Sequence, residues 1–211
     1  MPWGSETART FALVFLLSIL IEPAIAGVTR LFDAQAGFLP QLDMEPRTMQ
    51  RRIIDYLIIA PIFEELLFRS WLTGRRASLR FALYGAAASL LTLAGIMFWP
   101  VQEALLGWIS VGIIFAGLIH WGRTSHRDTD VPAWFVGHFH WIVWGSSLAF
   151  GLIHLGNFTG LGNPLGVLVV LPQAIGGILL AYIRTRLGLR AAVAHHAAYN
   201  ALVVAAIAMG W

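Results

Sequence analysis

The chain has no cysteine and no lysine. Without cysteine there is no disulfide, no thiol nucleophile and no thiolate metal site, while the compartment is left open. Without lysine, all 14 basic side chains are arginines. They cluster between apolar segments and form no run with interleaved aromatics, so membrane orientation explains them better than a nucleic-acid partner. Charge of either sign is scarce as well. Charged residues make up 12% of the 211 positions and hydrophobic ones 58%, which is about half the charged share of an ordinary soluble domain. A soluble core of this size does not need so few charges, and the composition is that of the membrane class. Neither end carries a compact soluble segment, which makes one membrane-embedded domain, residues 1–211, the simplest organisation.

What is present is a series of apolar stretches, about seven in a range of six to eight, each near the ~20 residues that cross a bilayer as a helix. They cover residues 11–29, 53–71, 81–99, 105–121, 133–155, 165–183 and 191–209. The expected fold is all-α, a polytopic helical membrane protein. The first stretch holds an Ala-x-Ala pattern at Ala24–Ala26, as a cleaved signal does. Its single basic residue Arg9 is offset by Glu6, and Glu22 and Pro23 interrupt the run, which favours a retained span. With the N-terminus in the cytoplasm, nine arginines fall inside (Arg9, Arg75, Arg76, Arg80, Arg123, Arg127, Arg184, Arg186, Arg190) and four outside (Arg30, Arg47, Arg51, Arg52). That bias follows the positive-inside rule, and a short interfacial helix over residues 46–52 softens the exceptions. The arginine-only basic set and the alanine richness fit a bacterial inner membrane.

Against this background three charges stand out in "EELLFR": Glu64, Glu65 and Arg69. Each costs roughly 2.5–3.5 kcal/mol at the centre of a membrane helix. Glu65 and Arg69 are four apart and share a helix face, so they account for each other as an ion pair. Glu64 lies about 100° away and has no such partner, a setting suited to a general base. "HAAYN" puts His196 and Asn200 on one face of the last stretch, where an imidazole and an amide form a donor pair for an oxyanion. His154 ends "FGLIH" on another stretch. A lone membrane histidine is often an interhelical hydrogen-bonding group, but three polar positions with Glu64 read as one site. His120, in "GLIHWG", echoes His154 in "GLIHLG". The structural reading is preferred for His126, His138, His140 and His195.

These residues resemble the three motifs of the CAAX protease and bacteriocin-processing family of intramembrane glutamic endopeptidases, which includes the type II CAAX prenyl endopeptidases. The first, Glu-Glu-x-x-x-Arg, is "EELLFR" at Glu64–Arg69; the second, Phe-x-x-x-His, is "FGLIH" at Phe150–His154; the third, His-x-x-x-Asn, is "HAAYN" at His196–Asn200. Position 116, four before His120, is alanine, so the resemblance selects His154. It covers a core of about residues 53–73 and 133–206, with an inserted helical pair over about 81–121.

The resemblance implies hydrolysis of a peptide bond in a membrane-associated or lipid-modified substrate. Glu64 would activate a water, His154 would hold it, His196 and Asn200 would stabilise the oxyanion, and Glu65, Arg69 and Phe150 would support them. No cofactor is implied. A zinc held by one glutamate and two histidines is the minority alternative. Two other classes stay open: a non-catalytic bacteriocin-immunity or binding protein, and a proton-coupled transporter. The expected partners are a peptide or protein substrate and the bilayer; oligomeric state, substrate and cleavage site are not legible. One conflict stands. On these boundaries His154 sits near one end of its span and His196 near the other end of its own, which at 1.5 Å per residue separates them by over ~10 Å.

Overall fold

The computed structural model describes residues 4–43, 47–160 and 162–209. Contacts divide the chain into one unit of residues 1–65 and 140–211 and another of residues 66–139. The predicted core and inserted pair fall largely in different units, and the start of the predicted interfacial helix, at Pro46, lies outside the described residues.

The helices are α1 (Ser5–Ala36), α2 (Met49–Ile54), α3 (Ala60–Phe68), α4 (Arg76–Phe98), α5 (Glu103–Thr124), α6 (Ala133–Gly137), α7 (Phe139–Ile153), α8 (Leu171–Leu187) and α9 (Leu189–Ala208). The short strands β1 (Gln41–Leu42) and β2 (Phe158–Thr159) pair antiparallel. The protein is all-helical in character. Among the described residues, four helices are long and apolar enough to cross a membrane, Ser5–Ala36, Ala104–Thr124, Pro164–Leu187 and Leu189–Ala208. Large apolar side chains such as Leu20, Leu31, Trp108 and Trp141 stand exposed, as they do on helices solvated by lipid.

Two of the seven predicted stretches are broken where the sequence reads as continuous. Residues 53–71 hold a π-helical turn, Asp55–Ile59, between α2 and α3. Residues 133–155 stop at His138, between α6 and α7, and close on a 3-10 turn, His154–Asn157. The stretch beginning at 165 opens as a 3-10 segment, Pro164–Val170, before α8.

In the first unit, α1 packs on α8 and α9, and α9 also lies against α2 and the π turn. Val14, Ile183, Ala191 and Ala192 form a small apolar core, with Phe11, Leu179 and Leu187 against it. His195 is buried between the Phe11 and Phe15 rings, at 5.5 and 5.4 Å. Helix α1 ends at Gly37 in the left-handed region, φ 61°, whose N–H donates to the Asp33 carbonyl, the usual glycine stop.

In the second unit, α4 and α5 pack together. Ser110 Oγ donates to the Ala88 carbonyl at 3.0 Å and the Tyr84 hydroxyl meets His120 Nδ1 at 3.0 Å, so His120 serves helix packing. The first N–H groups of α4 are satisfied by the Asp128 and Asp130 carbonyls. The Arg80 guanidinium beside Asp128 holds that carboxyl below the usual carboxylate range.

Candidate active site

The site grows from three helical segments of the first unit. The π turn needs one extra residue per turn and spoils the i→i−4 ladder, a distortion common at functional sites. Asn200, on α9, answers it: its Nδ2 donates to the Tyr56 carbonyl at 2.8 Å. Glu64 and Glu65 follow within α3. Glu65 is fully buried, and His196 Nδ1 lies 3.1 Å from its Oε1.

At the end of α7, His154 Nδ1 approaches the Phe150 carbonyl at 2.8 Å. The buried Phe150 ring lies 4.8 Å from the His154 ring and 5.8 Å from the His196 ring. Both Nε2 atoms then face one oxygen: Glu64 Oε2 is 3.9 Å from that of His154 and 3.8 Å from that of His196. Glu64 Oε2 is buried and accepts no hydrogen bond among the described residues.

The separation foreseen between His154 and His196 is corrected here. Helix α7 has 15 residues, about 22 Å, which is shorter than a full span. Its breaks at His138 and His154 remove the basis for placing His154 at an outer edge.

The hydrogen-bond roles follow from chemistry. A backbone carbonyl only accepts, so the Nδ1 of His154 carries the proton in its contact with Phe150 and the Nε2 of that ring is turned toward Glu64. Glu64 Oε2 and the two Nε2 atoms therefore converge.

Zinc fits this set less well. Tetrahedral ligands at about 2.0–2.1 Å lie about 3.3 Å from one another, and both nitrogen–oxygen separations here are wider. No group of three His, Asp or Glu side chains arranged to hold a metal ion is found among the described residues.

Beside these groups is a small cavity of about 60 Å³, walled by Phe150, His154, His196, Asn200, Glu22 and Gln173. That volume holds a few waters.

Residues 130–202 match the family model described as type II CAAX prenyl endopeptidase Rce1-like. Over this stretch, about a third of its length, the chain is similar to the CAAX prenyl endopeptidases. No curated protein and no solved structure matches it. The likeness supports a peptidase reading in general terms, and the four apolar helices support a multi-pass membrane protein. The matched residues include His154, His196 and Asn200 and do not reach Glu64.

The structure thus brings Glu64, Glu65, His154, His196 and Phe150 together, with Asn200 of α9 bonded to the π turn and in the cavity wall. Arg69 is buried, at the turn where α3 ends. Sequence reasoning left Glu22, Gln173 and Tyr199 unassigned. Glu22 alone carried a usable signal, as a carboxyl inside an apolar run.

The pose of His154 depends on close packing one turn earlier. A methyl group at Gly151 would meet Ala174 Cβ at 2.8 Å and its backbone Cα and N at 3.1 Å. Backbone cannot swing aside as a side chain does. Gly151→Val is expected to cost about 1–3 kcal/mol of stability and to lower activity, read from the melting temperature in detergent and a cleavage assay. Gly145→Val, with open space around it, serves as the neutral control.

Proposed function

We propose that the chain is a glutamate-dependent intramembrane endopeptidase that hydrolyses a membrane-associated or lipid-modified peptide with an activated water. The observation that carries this reading is the approach of two imidazole Nε2 atoms to a single, otherwise unbonded oxygen of Glu64. Glu64 takes a proton from a water bridged to His154, and the water oxygen attacks the carbonyl carbon. The C–N bond of the tetrahedral intermediate then breaks as Glu64 returns the proton to the departing nitrogen. His196, paired with the Glu65 carboxylate, is the ring fitted to carry a second proton at Nε2 and donate it toward the oxyanion. Asn200 uses one amide N–H on Tyr56 and has a second for the same oxygen.

The test is cleavage, by the purified chain in proteoliposomes, of an internally quenched peptide ending in a prenylated Cys-Ala-Ala-X sequence. Intact-mass comparison of membrane peptides from cells with and without active protein covers other lipid-modified substrates. If neither a probe nor a native peptide is cut, the immunity or transporter readings replace this one.

The metal question has its own outcome. Because the charge stabilisation is assigned to imidazole and amide donors, full activity is expected after dialysis against a strong chelator. Loss of activity that zinc restores would overturn the glutamate mechanism.

The reading includes an inner-membrane location with a cytoplasmic N-terminus, supported by the arginine bias. The cysteine-free chain makes this easy to examine. Thr159→Cys is expected to react with an impermeant maleimide in right-side-out vesicles, and Thr185→Cys only after permeabilisation.

A further inference from the structure

Glu22 is a carboxyl in the middle of α1, 8% exposed and outside all three motifs. An ionisable group within a membrane helix is costly and is retained with a partner and a purpose. Tyr199, on α9, lines the same small cavity as Glu22, which puts its hydroxyl on the side of the Glu22 carboxyl. Helix α8 makes room for it: a methyl group at Gly176 would meet the Glu22 carboxyl oxygens at 2.9 and 3.0 Å. Glu22 also walls the small cavity together with His154, His196 and Asn200. Tyr199 lies three residues after His196 and one before Asn200, so a bond to its hydroxyl fixes the rotation of α9 about its axis, and with it where both groups point.

We propose that Glu22 is a positioning residue of the hydrolytic site, acting through Tyr199 to hold the cavity face of α9 toward Glu64. This rests on the peptidase reading above. The contact works by hydrogen bonding and shape, so the neutral isostere glutamine can replace it. Misplacing a catalytic group by about 1 Å costs up to ~100-fold in rate, and the effect falls on kcat because substrate contacts are untouched.

The experiment compares Glu22→Ala, Glu22→Gln, Tyr199→Phe and the Glu22→Ala/Tyr199→Phe double variant on the quenched prenylated peptide in proteoliposomes, with Glu64→Gln alongside. Glu22→Ala and Tyr199→Phe are each expected to lower kcat about 10- to 100-fold at little-changed KM. The double variant should be no worse than the more impaired single one, and Glu22→Gln should keep at least about a third of wild-type kcat. Additive losses, an unchanged kcat in Glu22→Ala, or a Glu22→Gln as impaired as Glu22→Ala would each overturn the proposal. Cleavage retained by Glu64→Gln would overturn Glu64 as the general base instead, and no cleavage by the wild-type chain would overturn the peptidase reading. A measurement that needs no substrate runs in parallel: the ring ¹⁵N shifts of His196 in nanodiscs should move in Glu22→Ala and Tyr199→Phe and stay in place in Glu22→Gln. If they stay in place in all three, α9 is not held by this contact.

Discussion

Glu64→Gln is expected to abolish peptide hydrolysis, by about 10²–10⁴-fold, and to leave the protein as stable as before or more stable. The rate loss is that of removing a general base. The stability effect is that expected with both rings neutral, when Glu64 Oε2 faces the lone pairs of His154 Nε2 and His196 Nε2 at 3.9 and 3.8 Å. Glutamine puts an N–H donor where an oxygen faces two lone pairs, and a new hydrogen bond is worth about 0.5–1.5 kcal/mol. Activity and stability oppose each other at sites built for chemistry. Cleavage of the quenched peptide and thermal unfolding in detergent read both arms. A glutamine variant that is inactive only because it melts earlier would refute the assignment.

The neighbouring position is expected to behave with the opposite sign in stability. Glu65 is fully buried against His196 Nδ1 at 3.1 Å. It holds that nitrogen as the donor and sends Nε2 toward Glu64. Loss of the carboxylate that orients a catalytic imidazole costs on the order of 10⁴ in a serine-protease triad, and about 10²–10³-fold is expected for Glu65→Gln, where packing keeps the ring in place. Weakening a charged, buried hydrogen bond costs about 1–3 kcal/mol, so the melting temperature should fall. Adjacent glutamates, each replaced by the same amide, would thus shift stability in opposite directions. Equal shifts would mean that the two carboxyls do the same job.

The motifs were legible because each lies within one or two helical turns. "HAAYN" and "FGLIH" need only the i, i+4 rule, and α7 and α9 deliver it. Spacing alone also paired Glu65 with Arg69, yet it could not reveal that Glu65 bonds His196, 131 positions away. Depth in the membrane was misread because composition shows that residues 133–155 are apolar and says nothing of the break at His138. The 3-10 segment Pro164–Val170 was hidden for the same reason: Leu and Val read alike in either helix type. Glu22 was visible as an oddity, but its neighbours Gly176 and Tyr199 belong to distant stretches whose packing no periodicity encodes.

The π turn at Asp55–Ile59 has a consequence of phase. A helical wheel drawn at 100° per residue from Met49 onward counts one residue too many by the time it reaches Glu64, an error of about 100°. On that wheel, Arg51 and Arg52 are assigned to the wrong sides relative to the glutamates. The helix behaves as a regular one with a single residue spliced in, and Asn200 is the latch on the resulting loop of backbone at Tyr56.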